Sequence, residues 1–319
     1  MLINYLFLKD FRKFERKELY FKEGINLIIG PNGAGKTTIL EAIHMLTYPK
    51  NIKGASNRDL IRKNKDFSTV YGKGLSKNQK FEIKVIVEKD KKKIFLFNKK
   101  ITSFSYLFHK FPSIFFHSKK ESIFWNKQDL HREINFLFSL IDKQYLKILL
   151  YYRRILNQRN KFLKKIKNLS DPFKKLLQEN GKIIQNKRII YIKKIEEFMK
   201  KFINVKVYYK PSVLEANFED EIEKGFTLFG ISRDNFYFEK DGFDLRYQSS
   251  EGEKRIFLFF LYLSIAEIMK KNGVLPLLLF DDPFSILDYS LVKSYIENWE
   301  GQVIITSLKP LDIKNIITI

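Results

Sequence analysis

The chain opens with short apolar runs set between charge clusters. LINYLFL, LYF and INLIIG are predicted as strands, with Gly24 turning between the last two. The spacing changes at about Gly35. TTILEAIHMLTY places apolar residues three and four apart and predicts a helix that ends before Pro49. Residues 50–66 are polar and basic, the pattern of a loop. FEIKVIVE and KIFLFN, separated by the charged turn KDKKK, predict an antiparallel hairpin after that helix. From about Leu130 to Phe202 the helical period returns. Phe136, Leu140, Leu149, Tyr152 and Leu156 form one series; Ile184, Tyr191, Ile195, Phe198 and Phe202 form another, with Asp171-Pro172 as the break between them. Each arm then has an upper length of about 50 Å at ~1.5 Å per residue. Strands are expected around 203–210 and 226–247. A long apolar helix at about 251–271, the strand VLPLLLF, a helix near 289–299 and the strand QVIIT close the pattern.

Against that pattern one stretch stands out. Gly30-Pro31-Asn32-Gly33-Ala34-Gly35-Lys36-Thr37, followed by Thr38, fits G-x-x-x-x-G-K-[ST] between a strand and a helix. The glycines let the backbone curl so that N–H groups face phosphate oxygens, and the helix N-terminus adds its positive end. Lys36 is placed to reach the β- and γ-phosphates, and the Thr37 hydroxyl to ligate Mg²⁺. Such a loop needs a carboxylate from another strand. LLLFDD supplies Asp281 as the metal partner and Asp282 to polarise the attacking water. Upstream, SSEGEKR opens the long apolar helix. Taken alone, Ser250 and Glu253 are a capping box. Taken with the P-loop, the aspartate pair, Asp288 seven residues beyond Asp281, and Thr306 and Ser307 after the last strand, the order describes an ABC-type ATPase head. In such heads the Ser-x-Gly helix, here Ser250 and Gly252, acts in trans on the γ-phosphate held by a second subunit. The expected fold class is therefore α/β, an ABC-type P-loop ATPase head with a mixed sheet and an antiparallel β subdomain. It occupies 1–125 and 203–319, with an inserted helical lobe at 126–202.

Composition narrows the partners. Lys and Arg number 59 against 36 Asp and Glu, a formal charge of +23, which points to a polyanion such as nucleic acid or anionic lipid. The absence of cysteine excludes disulfides, thiolate zinc sites and a thiol nucleophile. The four histidines lack metal-ligand spacing. No signal-peptide pattern is evident, and the longest apolar stretch, IFLFFLYLSIAEIM, is too short to span a bilayer. A soluble cytoplasmic protein with no membrane partner is expected.

The opening FLKDFRKFERKELYFKEGINLIIGPNGAGKTTILEAIHML, then SNRDLIR, DKQYLKILLYYRRILNQRNKFLK, LLLFDDPFSILD and GQVIITS together resemble the RecF family. The aromatic-rich helix ending in Gln158-Arg159-Asn160 is the most telling of these. The resemblance implies that Arg12 joins the nucleotide site. It implies a slow, DNA-stimulated ATPase that uses ATP and Mg²⁺ to form a homodimer on double-stranded or gapped DNA without sequence preference. It further implies work with RecR and RecO in placing RecA during DNA repair, replication and the SOS response. Glu253 stands where the family pattern has glutamine, Pro283 follows the aspartate pair, and HSKKE at 117–121 stands where the family shows Pro-Glu-Asp. An SMC-type head would need hundreds of residues of heptads where this chain has fewer than about 80. A transporter subunit would show Leu-Ser-Gly-Gly-Gln and a histidine after the last strand. The remaining alternative is an SMC-like DNA-binding head whose nucleotide site is inactive or structural.

Overall fold

The computed structural model describes residues 1–50, 55–77, 79–102, 105–117, 123, 124, 126–165, 171–285, 287 and 289–319. The chain forms two compact units, Met1–Lys119 with Met269–Ile319, and Lys120–Ile268. The expected insert, 126–202, falls inside the second unit.

The first unit begins with β1 (Leu2–Phe11) and β2 (Phe14–Tyr20), an antiparallel pair whose tight turn holds Arg12 at φ 51°. β3 (Ile25–Ile29) runs through the glycine-rich loop into α1 (Lys36–Thr47), the helix expected from the spacing of its apolar residues. β4 (Phe67–Ser76), β5 (Gln79–Glu88), β6 (Lys92–Leu96) and β7 (Lys99–Ile101) complete a six-stranded antiparallel sheet, ordered β2-β1-β4-β5-β6-β7. β5 and β6 are the expected hairpin. On β5, Phe81, Ile83, Val85 and Val87 point into the core, because successive strand residues face opposite sides. α2 (Ser105–Lys110) and β8 (Ser113–His117) end this part of the unit.

The second unit contains α3 (Lys127–Ile141), α4 (Lys143–Leu163), α5 (Lys174–Met199), β9 (Val205–Lys210), α6 (Phe218–Lys224), β10 (Asn235–Lys240), β11 (Phe243–Asp244) and most of α7 (Glu251–Lys271). β11-β10-β9 form a small antiparallel sheet. The Asp171 carboxylate accepts the Phe173 and Lys174 N–H groups at 3.0 and 3.2 Å, so the expected break is also the start of α5. Two arginines are fully buried among these helices. Arg159 donates to Asp171, Glu221 and Thr227, and Asn160 accepts from the Thr227 N–H at 2.9 Å. Arg188 donates to Asp234, Asn135 and the Ile231 carbonyl. Removing one partner of such a buried pair costs about 3–5 kcal/mol. The Arg159-Asn160 pair that carries much of the family resemblance is thus a tertiary fastening.

The chain then returns to the first unit with β12 (Leu277–Asp281), α8 (Tyr289–Glu297), β13 (Val303–Ser307) and β14 (Asn315–Thr318). These join β3 and β8 in a parallel sheet ordered β14-β3-β13-β12-β8. The strands of the unit therefore sort into one parallel and one antiparallel sheet. LLLF and VIIT are apolar without alternation and buried along their length, the mark of a parallel sheet covered on both faces. The expected closing strand QVIIT is followed by one more, β14, and Ile319 donates its N–H to the Ile29 carbonyl at 3.0 Å. In register, Asp281 stands opposite His117 and Ser307 opposite Ile29, which aligns the carboxyl ends of four strands along one edge. Open α/β sheets bind ligands at that edge.

Candidate functional site

The glycine-rich loop leaves β3 at this edge. Gly30 admits no side chain, since a Cβ there would lie 2.8 Å from the Ile319 carbonyl oxygen. Gly35 sits at φ 102°, and a Cβ would strike the Phe14 ring at 2.6 Å. Only glycine meets both demands, a left-handed backbone and a close aromatic neighbour. Pro31, Asn32 and Gly33 are exposed, while Ala34, Thr37 and Thr38 are half-buried. Lys36 folds back over the loop, donating to the Gly30 carbonyl at 2.6 Å and the Pro31 carbonyl at 3.0 Å. Thr38 stands in the first turn of α1.

A second cation approaches from the β1–β2 turn. Lys13 Nζ donates to the Gly33 carbonyl at 2.6 Å. Its neighbour Arg12, the residue expected at the nucleotide, packs beside α1, with Nε 2.8 Å from Glu41. Burial raises the Glu41 pKa; Arg12 opposes that shift and Asp281 reinforces it.

The loop is tied to the far strand by one side-chain contact. Thr37 Oγ1 lies 2.9 Å from both carboxylate oxygens of Asp281, across 244 residues of sequence. Thr306, fully buried on β13, donates to Asp281 Oδ1 at 2.9 Å. Thr306 Oγ1 in turn accepts the Asp282 N–H at 2.9 Å. Asp282 occupies φ 48°, unusual for a residue with a side chain, and Thr306 holds it there. Burial raises the Asp282 pKa, with the Asp281 charge adding to the rise and the Ser285 hydroxyl and Lys36 opposing it. His117 Nε2 lies 3.7 Å from Asp281 on the other side.

This donor set suits a hard cation. A threonine hydroxyl and a carboxylate are the oxygen ligands Mg²⁺ takes, with water and phosphate oxygens filling the other positions. Among the described residues no group of three or more His, Asp or Glu could hold a metal by itself. Lys36 and Lys13 bring positive charge to a loop whose Pro31, Asn32 and Gly33 are exposed, the charge a polyphosphate requires. The residues present therefore match Mg²⁺ bound together with a nucleotide.

The serine motif lies in the second unit. There the capping box is complete. The Ser250 N–H donates to Glu253 Oε2 at 2.9 Å, the Ser250 hydroxyl lies 3.1 Å from the same oxygen, and the Glu253 N–H donates to Ser250 Oγ at 3.2 Å. Lys240 clamps the other carboxylate oxygen at 2.9 Å. The Ser250 N–H, Lys240 and the Ser250 hydroxyl together hold the Glu253 pKa down at about 2. Ser250 is exposed just before α7, and Gly252, the second residue of that helix, is half-buried. Asp288 and residues 118–121 of HSKKE lie outside the described residues.

Three contacts were not foreseen in the sequence: Lys13 on the loop, the double role of Thr306, and the Lys240 clamp. Lys13 adjoins Arg12 in a turn already tied to the loop by resemblance, so its charge was a usable signal. Thr306 stands out in the sequence only as a hydroxyl; its double role depends on the pairing of β13 with β12, and the Lys240 clamp on β10 lying beside the start of α7.

The family model for the RecF/RecN/SMC N-terminal domain matches residues 2–316. The DNA replication and repair protein RecF of Lachnospira eligens is 31% identical, over 95% of this chain and 91% of its own length. RecF of Thermoanaerobacter pseudethanolicus is 30% identical, over 94% and 92%. The solved structure of the recombination mediator protein RecF with ATP superposes at a TM-score of 0.84, 28% identical, over 98% of this chain and 93% of that one. An SMC head solved with the C-terminal winged-helix domain of ScpA superposes at 0.53 with 16% identity, which shows a shared ABC-type head fold. No helix of the described residues is long and apolar enough to cross a membrane. The chain belongs to the RecF family, within the larger group defined by the RecF/RecN/SMC N-terminal domain.

Proposed function

We propose that this chain is an ATP-dependent DNA-binding protein of replication and recombinational repair, a mediator that dimerises on DNA when it binds ATP. Gly30–Thr38 bind the triphosphate, with Lys36 as its principal cation. Thr37 and Asp281 hold Mg²⁺, which neutralises charge on the phosphates when bound. Asp282 orients the attacking water and accepts its proton; its raised pKa brings it nearer the working pH of a general base. Ser250 and Gly252 read the γ-phosphate held by a second copy, and Asp288 takes part in the same reaction. Arg12 joins Gly30–Thr38 in binding the nucleotide from the β1–β2 turn, where it also pairs with Glu41 of α1. Hydrolysis is slow, DNA-stimulated and resets the dimer. RecR and RecO are the partners, and RecA the protein whose loading they assist.

The observation that carries this reading is the contact between Thr37 and Asp281. It brings the last residue of the P-loop motif to the acid at the end of β12, the arrangement a Mg²⁺–nucleotide needs. Lys36→Ala tests it. Loss of a charge-assisted contact to phosphate is worth about 1.5–3 kcal/mol, so calorimetry should show ATP affinity falling by roughly ten- to a hundredfold. An unchanged affinity rejects the loop as a nucleotide site. A second reading, a head whose nucleotide is structural, is favoured by one feature: the hydroxyl and N–H of Ser250 are both engaged by Glu253. Single-turnover measurement separates the two, because a structural site binds ATP and returns it uncleaved.

A further inference from the structure

α4 is unusual in its charge. Its 21 residues, KQYLKILLYYRRILNQRNKFL, contain no aspartate or glutamate. Tyr145, Leu149, Tyr152, Ile155, Arg159 and Leu163 are buried and fill one side. At about 100° per residue, Lys143, Lys147, Arg154 and Lys161 fall within roughly 40° of one another on the opposite side. All four are exposed. Among the described residues none of the four pairs with a carboxylate. The nearby acids are engaged elsewhere: Asp142 with Lys187, and Asp171 and Glu221 with Arg159.

We propose that this face of α4 is a phosphate-tracking strip for DNA. The inference rests on the DNA-binding reading above and assigns that binding to a surface. Four unpaired cations run about 27 Å along the helix at ~1.5 Å per residue, the length of about eight base pairs at ~3.4 Å each. Flexible cations that meet phosphates give affinity and no sequence preference. The gaps in the strip are polar or lightly apolar, with Gln158, Leu150 and Tyr151 between the charges. A membrane-binding helix would turn a broad apolar face outward; α4 spends its apolar face on the core.

The test compares the wild-type chain with Lys147→Gln/Arg154→Gln/Lys161→Gln, since glutamine keeps helix propensity at exposed positions. Binding to a 30-base-pair duplex is measured over a range of salt. Each lost phosphate contact lowers the slope of log affinity against log salt by about 0.9. The triple variant should therefore show a slope shallower by about 2.7, with ATP affinity and melting temperature unchanged. If the triple variant does not fold, each single variant should lose about 0.9 in slope. A wild-type chain that binds the duplex and a variant with the same slope overturn the strip and leave the wider reading standing. A wild-type chain that does not bind duplex at all overturns both. Loss of binding to phosphatidylserine vesicles with an unaltered DNA slope overturns it in favour of a membrane surface.

Discussion

The P-loop and the serine motif are two halves of one proposed reaction, and they are built in opposite ways. At the P-loop, groups far apart in sequence converge. Thr37, Asp281 and Thr306 come from a helix and two strands; both hydroxyls meet the Asp281 carboxylate, and Thr306 also accepts the Asp282 N–H. At the serine motif the capping bonds run within four residues, between Ser250 and Glu253, and the one long-range partner is Lys240 of β10, 13 residues away. The first arrangement leaves oxygen ligands at a sheet edge, ready to exchange a neighbour for a cation. The second is closed, and a phosphate arriving at Ser250 meets a carboxylate that is ionised at any ordinary pH. Binding the nucleotide and sensing its end are thus different problems for this chain. The first is preassembled; the second begins with a displacement.

If the contrast is real, substitutions in the two regions should separate into distinct effects. The largest is expected at Asp282. Asp282→Asn removes the proton acceptor while keeping its shape, so turnover should fall by about a hundredfold or more, with ATP affinity retained. Normal hydrolysis by this variant, measured as phosphate release, places the base elsewhere. Next is Thr306→Val, which leaves the Asp282 N–H and one Asp281 oxygen without their hydroxyl. An unpaired buried group costs about 1–3 kcal/mol, and turnover should drop with a higher Mg²⁺ requirement. Thr306→Ser should restore both. If valine shifts only the melting temperature, Thr306 is structural.

The smallest effect is expected at Glu253. Glu253→Gln keeps a side chain able to cap the helix and removes the negative charge beside Ser250. ATP-driven self-association should strengthen by a few-fold, and the Lys240 ion pair should vanish. The pH dependence has a defined sign. The Glu253 pKa is depressed in the folded chain, so its stabilising contribution is complete above the ordinary glutamate value of about 4.3. It fades as pH falls towards about 2. Melting temperatures measured from pH 5 down to pH 2 should show this loss in the wild-type chain and a shallower one in the variant.

The same contrast explains what the sequence made legible. Apolar runs such as LLLF and VIIT, and alternation in FEIKVIVE, located strands because burial follows local pattern. The P-loop was legible because its chemistry is contiguous, and the capping box because it is local. Asp281 was legible through its place at the end of a strand. β14 was missed because NIIT is too short to stand apart from its neighbours. SIFFH was read only at its last residue, His117, and not as the strand β8. The net positive charge pointed to a polyanion without saying which cations face solvent: Lys143 and Arg154 are exposed, but Arg159 and Arg188 are buried. Their partners, Glu221 and Asp234, lie 62 and 46 residues away. Nothing in a helix period says which of its arginines will find an acid inside the fold.

The central claim is that ATP joins two copies through Ser250, and sedimentation reads it directly. The wild-type chain should be a monomer without nucleotide or with ADP, and should double its mass with ATP, Mg²⁺ and DNA. Ser250→Arg should bind ATP and stay a monomer. A wild-type chain that remains a monomer with ATP bound, or a Ser250→Arg chain that dimerises as well as the wild type, contradicts the account.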